Sequence, residues 1–153
     1  MGLKSKYPTY ALILAGGVGK RFNNGKTPKQ LIKIGGEPII YYTIRAFENH
    51  PLIDKIIIVG NGDSIEKYKE IVKENDFSKV IKVIEGGPTR QESTKKGLDI
   101  IPIDHKESKI LIHDAVRPFL SDSIISDIIL ELDKSEAVDV AIPIADTIIE
   151  VNN

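Results

Sequence analysis

The chain has 153 residues, of which 41% are hydrophobic, and a formal net charge of −1, so it is long enough for one folded domain with a buried core. The near-neutral charge excludes a general electrostatic attraction to nucleic acid or to a membrane surface. The absence of Cys excludes disulfides and Cys-ligated metal sites, and no apolar run approaches the roughly 18 residues of a membrane helix. We expect a single-domain cytoplasmic protein that binds neither nucleic acid nor membranes.

Strand-like and helix-like segments alternate along the chain. Short apolar runs, rich in β-branched residues, predict strands over 10–14, 55–60, 80–84, 110–112 and 137–144. Polar caps followed by apolar residues at helical spacing predict helices over 63–75, 90–101 and 121–132. Continuous apolar strands separated by helices predict an α/β fold with a mostly parallel sheet and helices on both faces.

The first predicted strand runs into a glycine-rich, basic segment, 16–30. This segment contains Lys20, Arg21, Lys26 and Lys29 and no acidic residue. Glycines let backbone N–H groups approach a ligand closely, and the cationic side chains complete a cradle for several phosphates. The segment therefore predicts a triphosphate-binding loop, although a solvated basic loop explains the composition equally well.

Two common phosphate motifs do not fit this segment. Walker A requires a Gly five positions before its Gly-Lys-Thr, and Lys20 occupies that position. The dinucleotide fingerprint requires a third Gly where this chain has Phe22. The loop is therefore of another kind, and an oxidoreductase is disfavoured.

Two further segments leave the same predicted edge of the sheet, where ligands of such folds collect. In 86–93, two glycines precede a helix start, which suits backbone recognition of a planar base or an ordinary turn with Thr89 as the N-cap. In 113–118, Asp114 at a strand end suits Mg²⁺, which prefers oxygen ligands. Arg117 could pair with a phosphate or lock Asp114 in a salt bridge.

Four sequence blocks, taken together and in order, carry a family resemblance. They are Leu14-Ala15-Gly16-Gly17-x-Gly19-x-Arg21, Pro28-Lys29-Gln30, Gly86-Gly87-x-x-Arg90-Gln91-x-Ser93 and His113-Asp114-Ala115-x-Arg117-Pro118. The chain resembles the cytidylyltransferases of polyol phosphates, which act on 2-C-methyl-D-erythritol 4-phosphate in isoprenoid biosynthesis or on ribitol 5-phosphate. The resemblance implies a Rossmann-like fold of the nucleotidyltransferase type, with CTP and a polyol phosphate as substrates and Mg²⁺ as cofactor.

The resemblance also implies roles for individual residues. The CTP phosphates would be held by Ala15, Gly16, Gly17, Val18 and Gly19. Arg21 and Lys29 would be catalytic, stabilising charge on the α-phosphate as it is attacked. Gly87 and Ser93 would contact the cytosine. The remaining roles would fall to Asp114 as the Mg²⁺ ligand, Ala115 beside the nucleotide, and Arg117 and Thr147 at the substrate.

The implied reaction is in-line attack by the polyol's phosphate oxygen on the α-phosphorus of CTP, with release of pyrophosphate. Positioning and charge neutralisation would supply nearly all of the catalysis. For Thr147, a turn between two short strands explains the local sequence equally well.

The resemblance extends from Tyr10 to Val151, whereas family members continue considerably further. We therefore interpret 1–153 as a single CTP-binding domain that lacks the family's C-terminal portion and dimerisation arm, and expect a homodimer for the full-length protein. The methylerythritol substrate is slightly favoured over ribitol 5-phosphate. A CTP-binding fragment without catalysis, and an enzyme that activates a sugar 1-phosphate with another base, are the alternatives.

Overall fold

A computed structural model describes residues 7–17, 27–105 and 107–141. The strands are β1 (Tyr10–Ala15), β2 (Lys33–Ile34), β3 (Glu37–Pro38), β4 (Lys55–Gly60), β5 (Val80–Glu85) and β6 (Ile110–Asp114). The α-helices are α1 (Ile39–Asn49), α2 (Ile65–Glu74), α3 (Arg90–Leu98) and α4 (Asp122–Glu131). Single turns of 3-10 helix lie at Lys29–Leu31, Gly62–Ser64 and Ile103–His105.

The central sheet has the strand order β5-β4-β1-β6, and every pairing in it is parallel. All six residues of β1 are buried, and so are the last five of β4. Strands that are covered on both faces show continuous apolar runs instead of alternation, which is the pattern of these two segments. The predicted α/β fold with a mostly parallel sheet is confirmed.

Alternate residues of β1 enter two different hydrophobic clusters. Ala11, Ile13 and Ala15 pack in the larger cluster, together with buried side chains of α1, α2 and α4. Leu12 and Leu14 pack in the smaller one on the opposite face. That second face is covered by α3, which lies so close to the sheet that a Cβ at its buried Gly97 would collide with Leu12. Helices therefore cover both faces, as predicted.

The predicted helix bounds differ from the observed ones by up to three residues. The helix predicted over 90–101 ends at Leu98, after which Ile100 and Ile101 pack on the smaller cluster from a turn. The strand predicted over 137–144 is wrong for 137–141, which have no regular structure, while 142–144 lie outside the described residues. No described strand pairs with 137–141, so the β-propensity of this segment is not enough to make it a strand.

A short hairpin that was not predicted lies between the basic loop and α1. There, β2 and β3 form a two-stranded antiparallel hairpin whose turn residues Gly35 and Gly36 both have positive φ, 61° and 97°. Both central residues of a type I′ turn need positive φ, which glycine supplies without strain. The hairpin leads directly into α1. None of the described helices is long and apolar enough to cross a membrane.

Gly60 ends β4 against the side chain of Tyr68. A Cβ at Gly60 would collide with the Tyr68 ring, lying 2.8 Å from its Cδ2 atom, and the ring is fully buried. We expect Gly60→Ala to lower the free energy of unfolding by about 1–3 kcal/mol, because the ring has no room to move. Urea denaturation measures this change. Gly16→Ala is the control, since its Cβ would lie an ordinary 3.8 Å from Ser93 Oγ; equal stability of the two variants would contradict the prediction.

Candidate active site

The carboxyl ends of the four central strands meet along one edge of the sheet. Ala15 of β1 lies opposite Gly60 of β4, and Gly60 lies opposite Glu85 of β5. On the other side of β1, Leu14 lies opposite Asp114 of β6. The glycine turn after β1, the double glycine after β5 and the segment around Asp114 at the end of β6 therefore leave one edge, as the sequence predicted.

The glycine turn after β1 is held by side-chain donors from two other elements. Gln30 Nε2 donates to the carbonyl oxygens of Ala15 and Gly17, at 2.8 and 2.9 Å. Tyr68 Oη donates to the same Ala15 oxygen at 3.2 Å. Burial raises the pKa of the Tyr68 hydroxyl, opposed by a hydrogen bond with Ser64, so the phenol stays protonated and able to donate. The backbone carbonyls of Ala15 and Gly17, two of the predicted phosphate-binding residues, are thus held by buried side-chain donors.

The second segment of the edge brings Gly87 and Ser93 into direct contact. The Gly87 N–H donates to Ser93 Oγ at 3.0 Å, and the Ser93 hydroxyl donates to the Thr89 carbonyl at 2.9 Å. Thr89 is also the N-cap of α3, since its Oγ1 accepts from the Glu92 N–H at 3.1 Å. The capping interpretation is confirmed, and the Gly87–Ser93 hydrogen bond ties the glycine turn to the first turn of α3.

Asp114 forms ion pairs with two arginines. Its Oδ1 accepts from Arg90 Nη1, and its Oδ2 lies 3.2 Å from Arg117 Nε. The Asp114 side chain is 23% exposed, and those of Arg90 and Arg117 are 65% and 74% exposed. The structure therefore contains the Asp114–Arg117 salt bridge that the sequence left as one alternative. Such exposed pairs contribute little to stability, so an anionic ligand can compete for the guanidinium groups.

The backbone beside Asp114 is tied to the core. The Ala115 N–H donates to the Leu14 carbonyl at 2.9 Å, and Thr43 Oγ1 on α1 donates to the Ala115 carbonyl at 3.0 Å. His113 Nε2 lies 2.9 Å from the Arg117 carbonyl oxygen. His113 thereby links the end of β6 to the turn at Arg117.

A Mg²⁺ site at this edge would rest on Asp114. In the part of the chain that the structure describes, no group of three or more His, Cys, Asp or Glu side chains could hold a metal ion alone. Mg²⁺ is commonly bound through one or two carboxylates, with substrate phosphates and water completing its octahedron. The carboxylate of Asp114 fits that role if a nucleotide supplies further oxygens to the ion. The phosphates of the nucleotide would then take the place of Asp114 as partners of the two arginines.

Several predicted site residues lie outside the described residues, namely Val18, Gly19, Arg21 and Thr147. Lys29 is described: it begins the 3-10 turn that follows the basic loop and is half-buried. The hydrogen bonds of its neighbour Gln30 to Ala15 and Gly17 were not predicted from the sequence. The signal was the place of Gln30 in the Pro28-Lys29-Gln30 block, beside the proposed catalytic lysine.

The profile of the IspD family, described as 2-C-methyl-D-erythritol 4-phosphate cytidylyltransferase, matches residues 9–153. The chain belongs to the IspD family. Among its IspD relatives, the enzyme named 2-C-methyl-D-erythritol 4-phosphate cytidylyltransferase of Clostridium kluyveri is 47% identical over 121 residues, which cover 77% of this chain and 50% of the relative. The resemblance found in the sequence is confirmed.

Two further similarities point to the same family. The bifunctional ribulose 5-phosphate reductase/CDP-ribitol pyrophosphorylase Bcs1 of Haemophilus influenzae is 46% identical over 149 residues, covering 97% of this chain and 31% of Bcs1. The solved structure of the bifunctional IspDF of Campylobacter jejuni superposes with a TM-score of 0.75 at 29% identity, covering 93% of this chain and 35% of that one. This IspD chain spans about half or less of the length of these relatives.

Proposed function

We propose that this chain binds CTP at the carboxyl edge of its sheet and transfers the cytidylyl group to a polyol phosphate, releasing pyrophosphate. The observation that carries the proposal is the match to the IspD family over 9–153. It is supported by the arrangement of the glycine turn, the Gly87–Ser93 contact and Asp114 around one edge of the sheet. A triphosphate, a base and a divalent cation each have a chemically suitable partner there.

The proposed nucleotide site divides into a phosphate half and a base half. For the phosphates we assign the turn Ala15, Gly16, Gly17, Val18 and Gly19, whose glycines allow backbone N–H groups to approach oxygen atoms. For the cytosine we assign Gly87 and Ser93, because fixed hydrogen-bonding groups can discriminate the edges of the bases. We assign Ala115, which directly follows β6, to a place beside the nucleotide; Thr43 Oγ1 donates to its carbonyl oxygen.

For the transfer step we assign Arg21 and Lys29 to the α-phosphate. Their positive charges would stabilise the negative charge on the phosphate oxygens as the acceptor attacks. Asp114 would hold Mg²⁺, which when bound neutralises phosphate charge and polarises the reacting group. The guanidinium groups of Arg90 and Arg117, now paired with Asp114, would then be available to anionic oxygens of the substrates.

For the acceptor we propose 2-C-methyl-D-erythritol 4-phosphate, with ribitol 5-phosphate as the second candidate. The family description and the Clostridium kluyveri relative carry the first name, whereas the relative named CDP-ribitol pyrophosphorylase favours the second. Thr147 and Arg117 are the residues that we assign to this acceptor.

Pyrophosphate release from CTP and Mg²⁺ tests the reaction and the acceptor together. We expect release that depends on 2-C-methyl-D-erythritol 4-phosphate and is at least tenfold slower with ribitol 5-phosphate. Faster release with ribitol 5-phosphate would reverse the choice of acceptor. No release with either, from a protein that binds CTP, would leave CTP binding as the function of this chain and contradict the proposed catalysis.

A further inference from the structure

We infer that Gln30 is a positioning residue that couples Lys29 to the glycine turn after β1. The inference rests on the proposed function, since it gives Gln30 a role in binding CTP. Gln30 lies in the 3-10 turn that begins at Lys29, and only 3% of its surface is exposed. Its side chain reaches back over 15 and 13 residues to Ala15 and Gly17.

The two hydrogen bonds use both N–H groups of the Gln30 amide. Because the acceptors are carbonyl oxygens, which cannot donate, they also determine which end of the amide is the nitrogen. The Ala15 and Gly17 carbonyls lie on either side of Gly16. Holding both at one nitrogen therefore sets the shape of the turn at Gly16 and its distance from Lys29.

Because the peptide group is planar, a hydrogen bond that fixes a carbonyl oxygen also fixes the direction of the N–H in the same peptide. In a trans peptide the N–H points away from the preceding carbonyl, so an Ala15 carbonyl directed at Gln30 turns the Gly16 N–H in the opposite direction. Backbone N–H groups aimed in a common direction are what a phosphate-binding turn requires. Gln30 thereby orients the donors without touching the nucleotide.

The remaining atom of the amide argues against a role in packing alone. Gln30 Oε1 is buried, and none of the described residues donates a hydrogen bond to it. A buried acceptor without a partner lowers stability, and an apolar side chain of the same length would fill the space without that penalty. The two N–H groups are what an apolar residue could not supply.

Tyr68 provides a matched comparison. Its hydroxyl donates to the same Ala15 oxygen at 3.2 Å and is equally buried, but it does not reach Gly17 and lies on α2, far from Lys29 in sequence. Loss of the Tyr68 hydroxyl removes one buried donor from the turn. Loss of the Gln30 amide removes the link between the 3-10 turn at Lys29 and the glycine turn after β1.

The experiment compares Gln30→Met with Tyr68→Phe by calorimetric titration with Mg²⁺ and CTP, alongside thermal unfolding. We expect both variants to lose stability to a similar degree. The Kd for CTP should rise at least tenfold in Gln30→Met and less than threefold in Tyr68→Phe. The amide NMR signal of Val18, whose N–H shares a peptide with the Gly17 carbonyl that Gln30 holds and Tyr68 does not, should differ at saturating CTP from the wild-type bound position only in Gln30→Met.

Unchanged CTP affinity in Gln30→Met, or equal losses in the two variants, would overturn the positioning role while the wild-type titration still supports the proposed function. A wild-type protein that does not bind CTP would overturn the proposed function and this inference with it. Should Gln30→Met fail to fold, Gln30→Leu replaces it, because Leu also lacks both N–H groups and places no charge in a buried site; the same two expectations apply.

Discussion

Replacing Lys29 with alanine is expected to lower the rate of pyrophosphate release by at least about 100-fold in the active enzyme, the size of effect seen when one preorganised charge or donor is removed from a transition state. Lys29 begins the turn that Gln30 ties to Ala15 and Gly17, so its backbone is fixed close to the proposed phosphate site. Truncation removes a positive charge without disturbing those hydrogen bonds. The KM for CTP should change much less than kcat, because the charge acts on the attacked phosphate.

Lys33→Ala is the control for this substitution. Lys33 lies four residues further along, on the exposed β2 strand, and carries the same charge. It should keep a rate within twofold of wild type. A folded Lys29→Ala enzyme that releases pyrophosphate at a near-normal rate would remove Lys29 from the reaction.

Replacing Asp114 with asparagine is the second substitution with a large expected effect. Asn keeps the size of the side chain and an oxygen that can accept a hydrogen bond, but it loses the charge that binds a divalent cation. We expect the rate of pyrophosphate release at a fixed Mg²⁺ concentration to fall at least about 100-fold. The reason is that a bound metal ion stabilises the negative charge of the transition state, and this stabilisation would be lost. The Mg²⁺ concentration for half-maximal rate should rise.

Stability separates this role from a structural one. The two arginine partners of Asp114 are mostly exposed to solvent, so loss of these ion pairs should change the free energy of unfolding by about 1 kcal/mol or less. Asp133→Asn is the control, because Asp133 also pairs with a cation, Lys109, but lies outside the proposed site at the end of α4. An Asp114→Asn enzyme with wild-type rate and Mg²⁺ dependence would leave Asp114 as a salt-bridge residue only.

The sequence predicted the central sheet because its strands carry their own signal. The buried run Tyr10–Ala15 has no polar interruption, which is the pattern of a parallel strand covered on both faces. Helix α1 carries a comparable signal that was not predicted, since Ile40, Ile44 and Phe47 follow one another at spacings of four and three and are all buried. The strand predicted over 137–144 shows the opposite error, since its described part, 137–141, is apolar in part and yet pairs with none of the described strands.

Within the candidate site, the sequence predicted contacts that depend on short spacing. The Asp114–Arg117 pair is three residues apart and was considered, whereas Arg90 reaches Asp114 across 24 residues and was not. The hydrogen bonds of Gln30 to Ala15 and Gly17 were likewise missed. Such contacts depend on how the loops converge at the sheet edge, which local propensity and spacing do not specify.

Equilibrium binding of nucleoside triphosphates tests the central claim, a cytidine triphosphate site at the carboxyl edge, more directly than any other measurement. Calorimetric titration of this chain with CTP, UTP, GTP and ATP, each with Mg²⁺, needs neither an acceptor nor turnover. We expect saturable 1:1 binding of CTP and at least about 100-fold weaker binding of the other three, the discrimination that a site with paired polar groups at the base can reach. Equal binding of all four, or tighter binding of another base, would contradict the assignment of Gly87 and Ser93 to cytosine, and no binding of CTP would contradict the account as a whole.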